Sequence, residues 1–115
     1  MASTEECRAA LEQLSRNMAG SDGDVRKAAA LDRSLTCHLT DLGLTFSGRL
    51  RGGRIVDVVE TPGPPPAKAD IRLTMTGDDL VDMVGGRLNF ASAWASGRVR
   101  LEAGFRDLLR LRTLL

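Results

Sequence analysis

From Ser34 onward the hydrophobic residues of this chain recur at every second position. Leu35, Cys37 and Leu39 alternate with Thr36, His38 and Thr40, and after Asp41-Leu42-Gly43 the alternation resumes in Leu44, Phe46 and Leu50. Successive side chains of a strand point to opposite faces, so this pattern demands a half-buried sheet. Arg51-Gly52-Gly53-Arg54 is a tight-turn sequence ahead of Ile55 to Val59, and the three runs together predict an antiparallel meander. Thr61-Pro62-Gly63-Pro64-Pro65-Pro66 has no place inside a sheet, because proline lacks the amide donor, and it predicts an exposed extended connection. Alternation then returns, with Ile71, Leu73 and Met75 facing one way and Arg72, Thr74 and Thr76 the other.

Helical spacing flanks these strands. Ser3 with Glu6 forms a capping box ahead of Cys7, Leu11, Leu14 and Met18, predicting an amphipathic helix that ends near Gly20. Ser21 to Asp24 has turn chemistry, and Val25 to Leu31 adds a short second helix. Thr76 caps another helix, with Asp78 and Asp79 at its positive end, Leu80, Met83 and Val84 on its apolar face, and Gly85-Gly86 as its stop. Phe90 to Ala95 predicts a short helix, Arg98 to Glu102 a strand with Val99 and Leu101 inward, and Phe105 to Leu115 a terminal amphipathic helix. This order predicts an α+β domain with helices on one face of a sheet.

At 115 residues one domain suffices, and no apolar run approaches the ~20 residues of a membrane span. The opening MASTEECRAALEQL has acids where a signal peptide is basic, which predicts a cytoplasmic protein. Cys7 and Cys37 match no metal-ligand or CxxC spacing and read as small core residues. The formal net charge is +1, although residues 86–115 hold six arginines against Glu102 and Asp107. A near-neutral chain without interleaved aromatics gives no footing for nucleic acid.

The segment GGRLNFASAWASGRVRLEAG, residues 85–104, places the single tryptophan among small residues between two Gly-Arg-aliphatic steps. With Ile71 to Met75, Asp78-Asp79-Leu80, Gly86-Arg87-Leu88, Ala91 to Trp94, Gly97-Arg98-Val99-Arg100-Leu101 and Gly104, it resembles the C-terminal half of the sterol carrier protein type 2 domain family. The resemblance covers about 35 residues well and the rest through element order. The proline-rich loop stands where the family often has a shorter polar turn, and Trp94 where phenylalanine or methionine is commoner. The resemblance implies a mainly antiparallel five-stranded sheet covered by helices on one face, with an apolar tunnel between them. It also implies a noncatalytic carrier of a fatty acid, fatty acyl-CoA, sterol or other apolar ligand, with no cofactor.

The candidate ligand-lining residues are Phe46, Leu73, Met75, Leu80, Met83, Val84, Phe90, Trp94, Phe105 and Leu109. For each one taken alone, an ordinary core position is the more economical reading. The small-residue helix either packs close or leaves space for a ligand, with Phe90 and Trp94 as a rigid wall. Arg106, Arg110 and Arg112 make the terminal helix basic, suited to covering the core, acting as a lid or touching a membrane surface. His38, on the polar side of its strand, and Ser47, Ser92 and Ser96 lack the partners of a catalytic set, and Asp78, Asp79 and Asp82 lack a calcium-loop spacing. No catalytic or metal-binding residue is therefore assigned. Two functions remain open: a lipid carrier, or an interaction or dimerisation module of the same fold with a filled tunnel, accessory to a lipid-metabolism enzyme.

Overall fold

The computed structural model describes residues 2–19 (side chains as far as Arg16), 32–52, 54–104 and 106. The order is α1 (Thr4–Ala19), β1 (Arg33–Leu39), β2 (Leu44–Arg51), β3 (Arg54–Pro62), β4 (Ile71–Met75), α2 (Gly77–Val84), α3 (Phe90–Ser96) and β5 (Arg100–Ala103). The expected helix over Val25 to Leu31, and that over Phe105 to Leu115 apart from Arg106, lie outside the described residues. The five strands form one sheet in the order β3-β2-β1-β4-β5. All neighbours are antiparallel except β1 and β4, which run parallel. The meander is thus present as expected, and β4 joins it on the far side of β1.

Alternation assigns the two faces. Cys37 pairs with Phe46 and Leu73, and Leu39 with Leu44 and Met75, so these side chains share the face that the helices cover. Cys7, Ala10 and Leu11 of α1, Leu80 of α2 and Ala93 of α3 join them in one buried cluster. A second cluster, Leu35, Leu50 and Ile71, continues the same face toward the other end of the strands. The capping box forms as expected: the Ser3 amide donates to Glu6 Oε1 and the Glu6 amide to Ser3 Oγ, each at 3.1 Å. Helix α1 lies along β3, where Arg8 pairs with Glu60 and sits 5.5 Å from the centre of the Phe46 ring, and Ser15 Oγ accepts from the Ile55 amide.

Two strand boundaries differ from expectation. Strand β3 continues through Thr61 and Pro62, which is permitted because β3 is an edge strand and a proline there leaves no ladder bond unmade. Strand β5 begins at Arg100 rather than Arg98, because the Val99 amide is bonded to the Ala93 carbonyl of α3 instead of to β4.

The connection from β3 to β4 lies on the face opposite the helices. At one end Thr45 Oγ1 donates to the Gly63 carbonyl at 2.8 Å, and at the other the Asp70 amide donates to Ser34 Oγ at 2.9 Å. Ser34, Thr36 and Thr45 all belong to this polar face by register. Between the two anchors Thr36 and Thr45 are only 5% and 0% exposed, although the described helices all pack on the other side.

Between β2 and β3 the register shifts, with Ser47 opposite Val59 but Arg49 opposite Val56. Strand β3 therefore carries one extra residue, a bulge in which Asp57 has φ 56°. Gly48 faces this bulge, and a Cβ there would lie 2.9 Å from the Val56 carbonyl oxygen, a backbone atom that cannot swing aside. Gly48→Ala is expected to cost about 1–3 kcal/mol, more than the ~0.4–1 kcal/mol gained from a stiffer unfolded chain. Urea denaturation measures the difference.

Candidate functional site

The region where α2 and α3 meet the sheet is built from three acids and two arginines. Thr76 (φ −83°, ψ 159°) caps α2, its side chain accepting from the Asp79 amide at 3.1 Å. Gly77 presses α2 against α1: a Cβ there would lie 2.9 Å from Cys7 Sγ, and the Gly77 amide donates to Asp41 Oδ1 at 2.8 Å. Asp78 and Asp79, expected to serve the helix dipole, and Asp82 each accept from a donor as well. Asp78 Oδ1 accepts from the Ala2 amide at 2.5 Å, Asp79 Oδ1 from Arg98 Nη2 at 2.5 Å, and Asp82 Oδ1 from Arg87 Nε at 3.0 Å.

The repeated Gly-Arg-aliphatic step now has a physical explanation. Gly86 and Gly97 take left-handed φ values of 81° and 82° just past the ends of α2 and α3, where a residue without Cβ is unstrained. Each following arginine turns back to clamp α2, Arg87 on Asp82 and Arg98 on Asp79. Each aliphatic residue then re-enters the apolar layer: Leu88 packs half-buried on the core, and Val99 is wholly buried within it. Asn89 caps α3, its Oδ1 accepting from the Ser92 amide at 3.0 Å.

The expected ligand-lining residues fall into two groups. Phe46, Met75 and Leu80 are buried to 2% exposure or less at the centre of the cluster. Leu73, Met83, Val84 and Phe90 are half-buried and pack against it, and Trp94, also half-buried, meets Phe90 with ring centres 6.2 Å apart. Phe105 and Leu109 lie outside the described residues. The small residues of α3 do not line this layer: only Ala93 is buried, while Ala91, Ser92, Ala95 and Ser96 face outward. Leu42, Val58, Val81 and Leu88 also pack here and were not anticipated. Leu42 was concealed by its turn, whereas Leu88 carried a signal in its Gly-Arg-Leu step.

Cys7 and Cys37 are buried free thiols in the same cluster. Burial pushes the Cys7 thiol up to about 11, with the negative charge of Asp41 adding to the effect, and burial likewise pushes Cys37 up to about 12. Asp79, 8% exposed, is the one carboxylate drawn under the surface among the described residues, and Arg98 neutralises it. His38 stands half-buried on the opposite face, paired in register with Thr45 and Thr74. Among the described residues no group of three or more His, Cys, Asp or Glu is placed to hold a metal ion. No described helix is long and apolar enough to cross a membrane. What the arrangement offers is apolar surface, fully buried at its centre and half-buried toward α2 and α3.

Comparison with solved structures gives the same architecture. Sterol carrier protein 2 superposes with a TM-score of 0.62 at 22% identity over 93% of this chain and 84% of its own. The palmitated sterol carrier protein 2 like 2 from Aedes aegypti gives 0.63 at 15% identity over 98% and 94%. A double mutant of the sec-alkyl sulfatase PisA1, an enzyme from Pseudomonas sp., gives 0.55 at 25% identity over 80% of this chain, which spans 15% of that enzyme. No curated protein sequence matches. The model of the SCP-2 sterol transfer family matches residues 11–115, so this α+β chain belongs to that family, and membership supports a lipid-binding domain.

Proposed function

We propose that the protein is a noncatalytic carrier holding one elongated apolar ligand, such as a fatty acid, fatty acyl-CoA or sterol, between α2, α3 and the covered face of the sheet. The observation that carries this reading is the half-buried apolar belt of Leu73, Met83, Val84, Leu88 and Phe90 around a fully buried centre, with Trp94 against Phe90. Such a belt leaves apolar surface beside α2 and α3 that an apolar ligand can cover. In this reading Met75 and Met83 adapt to irregular ligand shapes through their flexible thioethers. The basic terminal sequence, with Arg106, Arg110 and Arg112, supplies transient contact with a membrane surface. We place the protein in the cytoplasm, in keeping with its free cysteines.

Trp94 emission tests the reading directly, since the chain has one tryptophan. Delipidated protein titrated with fatty acids of increasing length is expected to give a saturable shift, with affinity strengthening by a sizeable fraction of ~0.8 kcal/mol per methylene. A flat response, with no heat of binding in calorimetry, would overturn it. A second reading, an interaction module accessory to an enzyme, is favoured by one observation: the same fold makes up a small part of an alkyl sulfatase chain. Extraction of the freshly purified protein separates the two, because a carrier yields lipid and a filled module does not.

A further inference from the structure

All four prolines of the chain fall within five residues, Pro62-Gly63-Pro64-Pro65-Pro66, and lipid binding gives them no role. Pro64 and Pro65 are each followed by another proline. Their own rings fix φ near −65° and the next ring excludes the helical region, so both are confined to the polyproline II conformation. The peptide bonds of residues 62–66 are all trans. This segment is also pinned at both ends. The Gly63 amide donates to the Gly43 carbonyl at 2.7 Å and the Gly63 carbonyl accepts from Thr45, while Asp70 is held by Ser34 through its amide and its carboxylate.

Between the pins, Pro64, Pro66, Ala67 and Lys68 are exposed. The carbonyls of Pro64, Pro65 and Pro66 take part in no hydrogen bond among the described residues. Lys68 has no carboxylate partner among them either. The need to connect β3 to the start of a parallel β4 accounts for extension. Extension also accounts for the unused acceptors, since polyproline II makes no internal hydrogen bonds, but not for outward proline rings beside a lysine that has no carboxylate partner among the described residues. Those features match what polyproline-reading modules take: rings for aromatic slots, carbonyls for side-chain donors and a flanking basic residue for an acid. Because the strap is already ordered, little conformational freedom is lost on binding.

We propose that residues 63–69 form a docking strap for a protein module that reads polyproline through an aromatic-lined groove bearing an acidic side chain for Lys68. The docking face is opposite the helix-covered face, so the strap acts whatever ligand the helices hold. The test uses the full chain, isotope-labelled for NMR, titrated with purified SH3 and WW domains. Saturable binding is expected, with amide shifts confined to Ala67–Asp70 and their immediate neighbours. Pro64→Ala/Pro66→Ala and, separately, Lys68→Glu should each weaken it about tenfold. The fatty-acid response of Trp94 should be unchanged in both variants, which keeps a failure of the strap distinct from a failure of the lipid reading. Absence of binding to any module overturns the proposal. So does undiminished binding by the variants, or shifts centred on α1, α2 or α3. Binding by the free Thr61–Asp70 peptide but not by the intact protein also overturns it, because the sheet would then be hiding the edge that the module reads.

Discussion

Leu80→Ala is expected to lower the unfolding free energy by about 2–5 kcal/mol, the usual range for a leucine removed from a core that relaxes only partly. Leu80 is 1% exposed and belongs to the main buried cluster together with Met75, Leu39 and Val99. A domain of this kind is stable by only about 5–15 kcal/mol, so the loss is a large fraction of the total. The urea midpoint should fall with the slope unchanged. Val59→Ala supplies the contrast: Val59 is 60% exposed, and its truncation should change stability by no more than about 0.5 kcal/mol. Equal effects at the two positions would mean that α2 does not pack as described.

Stability should also fall steeply in alkali, and the two thiols are the reason. An ordinary cysteine titrates near 9.0, while Cys7 is held at about 11 and Cys37 at about 12, in both cases chiefly by burial away from water. Above pH 9 the unfolded chain releases thiol protons that the native chain retains. The native state then binds more protons, so stability is intact below pH 9 and is lost as pH rises toward the native values. Each thiol contributes about 1.4 kcal/mol per pH unit across that window. The composition makes the measurement clean, since the chain has no tyrosine and its only lysines are Lys27 and Lys68. Urea midpoints followed from about pH 8 to about pH 10.5 should decline in the parent and much less in Cys7→Ala/Cys37→Ala. A parallel decline in both proteins would show that the thiols are not the cause.

Much of the candidate site was legible before any coordinates, and the reason is local. Thr76 caps α2 through a bond to a residue three positions on, and Gly86 and Gly97 end helices through their own backbone freedom. Such features depend on neighbours in sequence and can be read there. The partners of Asp78 and Asp79 were less accessible: dipole placement explained why acids stand at a helix start, but not why each has its own donor. Ala2 is 76 residues away from Asp78, and Arg98 is 19 residues from Asp79. Ala91, Ser92, Ala95 and Ser96 suggested close packing or a cavity, yet they point outward, because burial depends on which face of α3 the sheet receives.

By itself the sequence determined the elements: alternation made the strands, caps and glycines bounded the helices, and consecutive prolines imposed an extended connection. It also determined that the thiols would be core residues, since nothing near them offered a metal or a redox partner. Tertiary structure alone decided that β4 lies parallel beside β1, and that the proline strap crosses the polar face from Thr45 to Ser34. It alone decided which apolar residues stay half-buried beside α2 and α3. The difference is physical. Backbone preferences and caps act within a few residues, whereas strand pairing and the degree of burial are set by surfaces that meet only when distant segments close on one another.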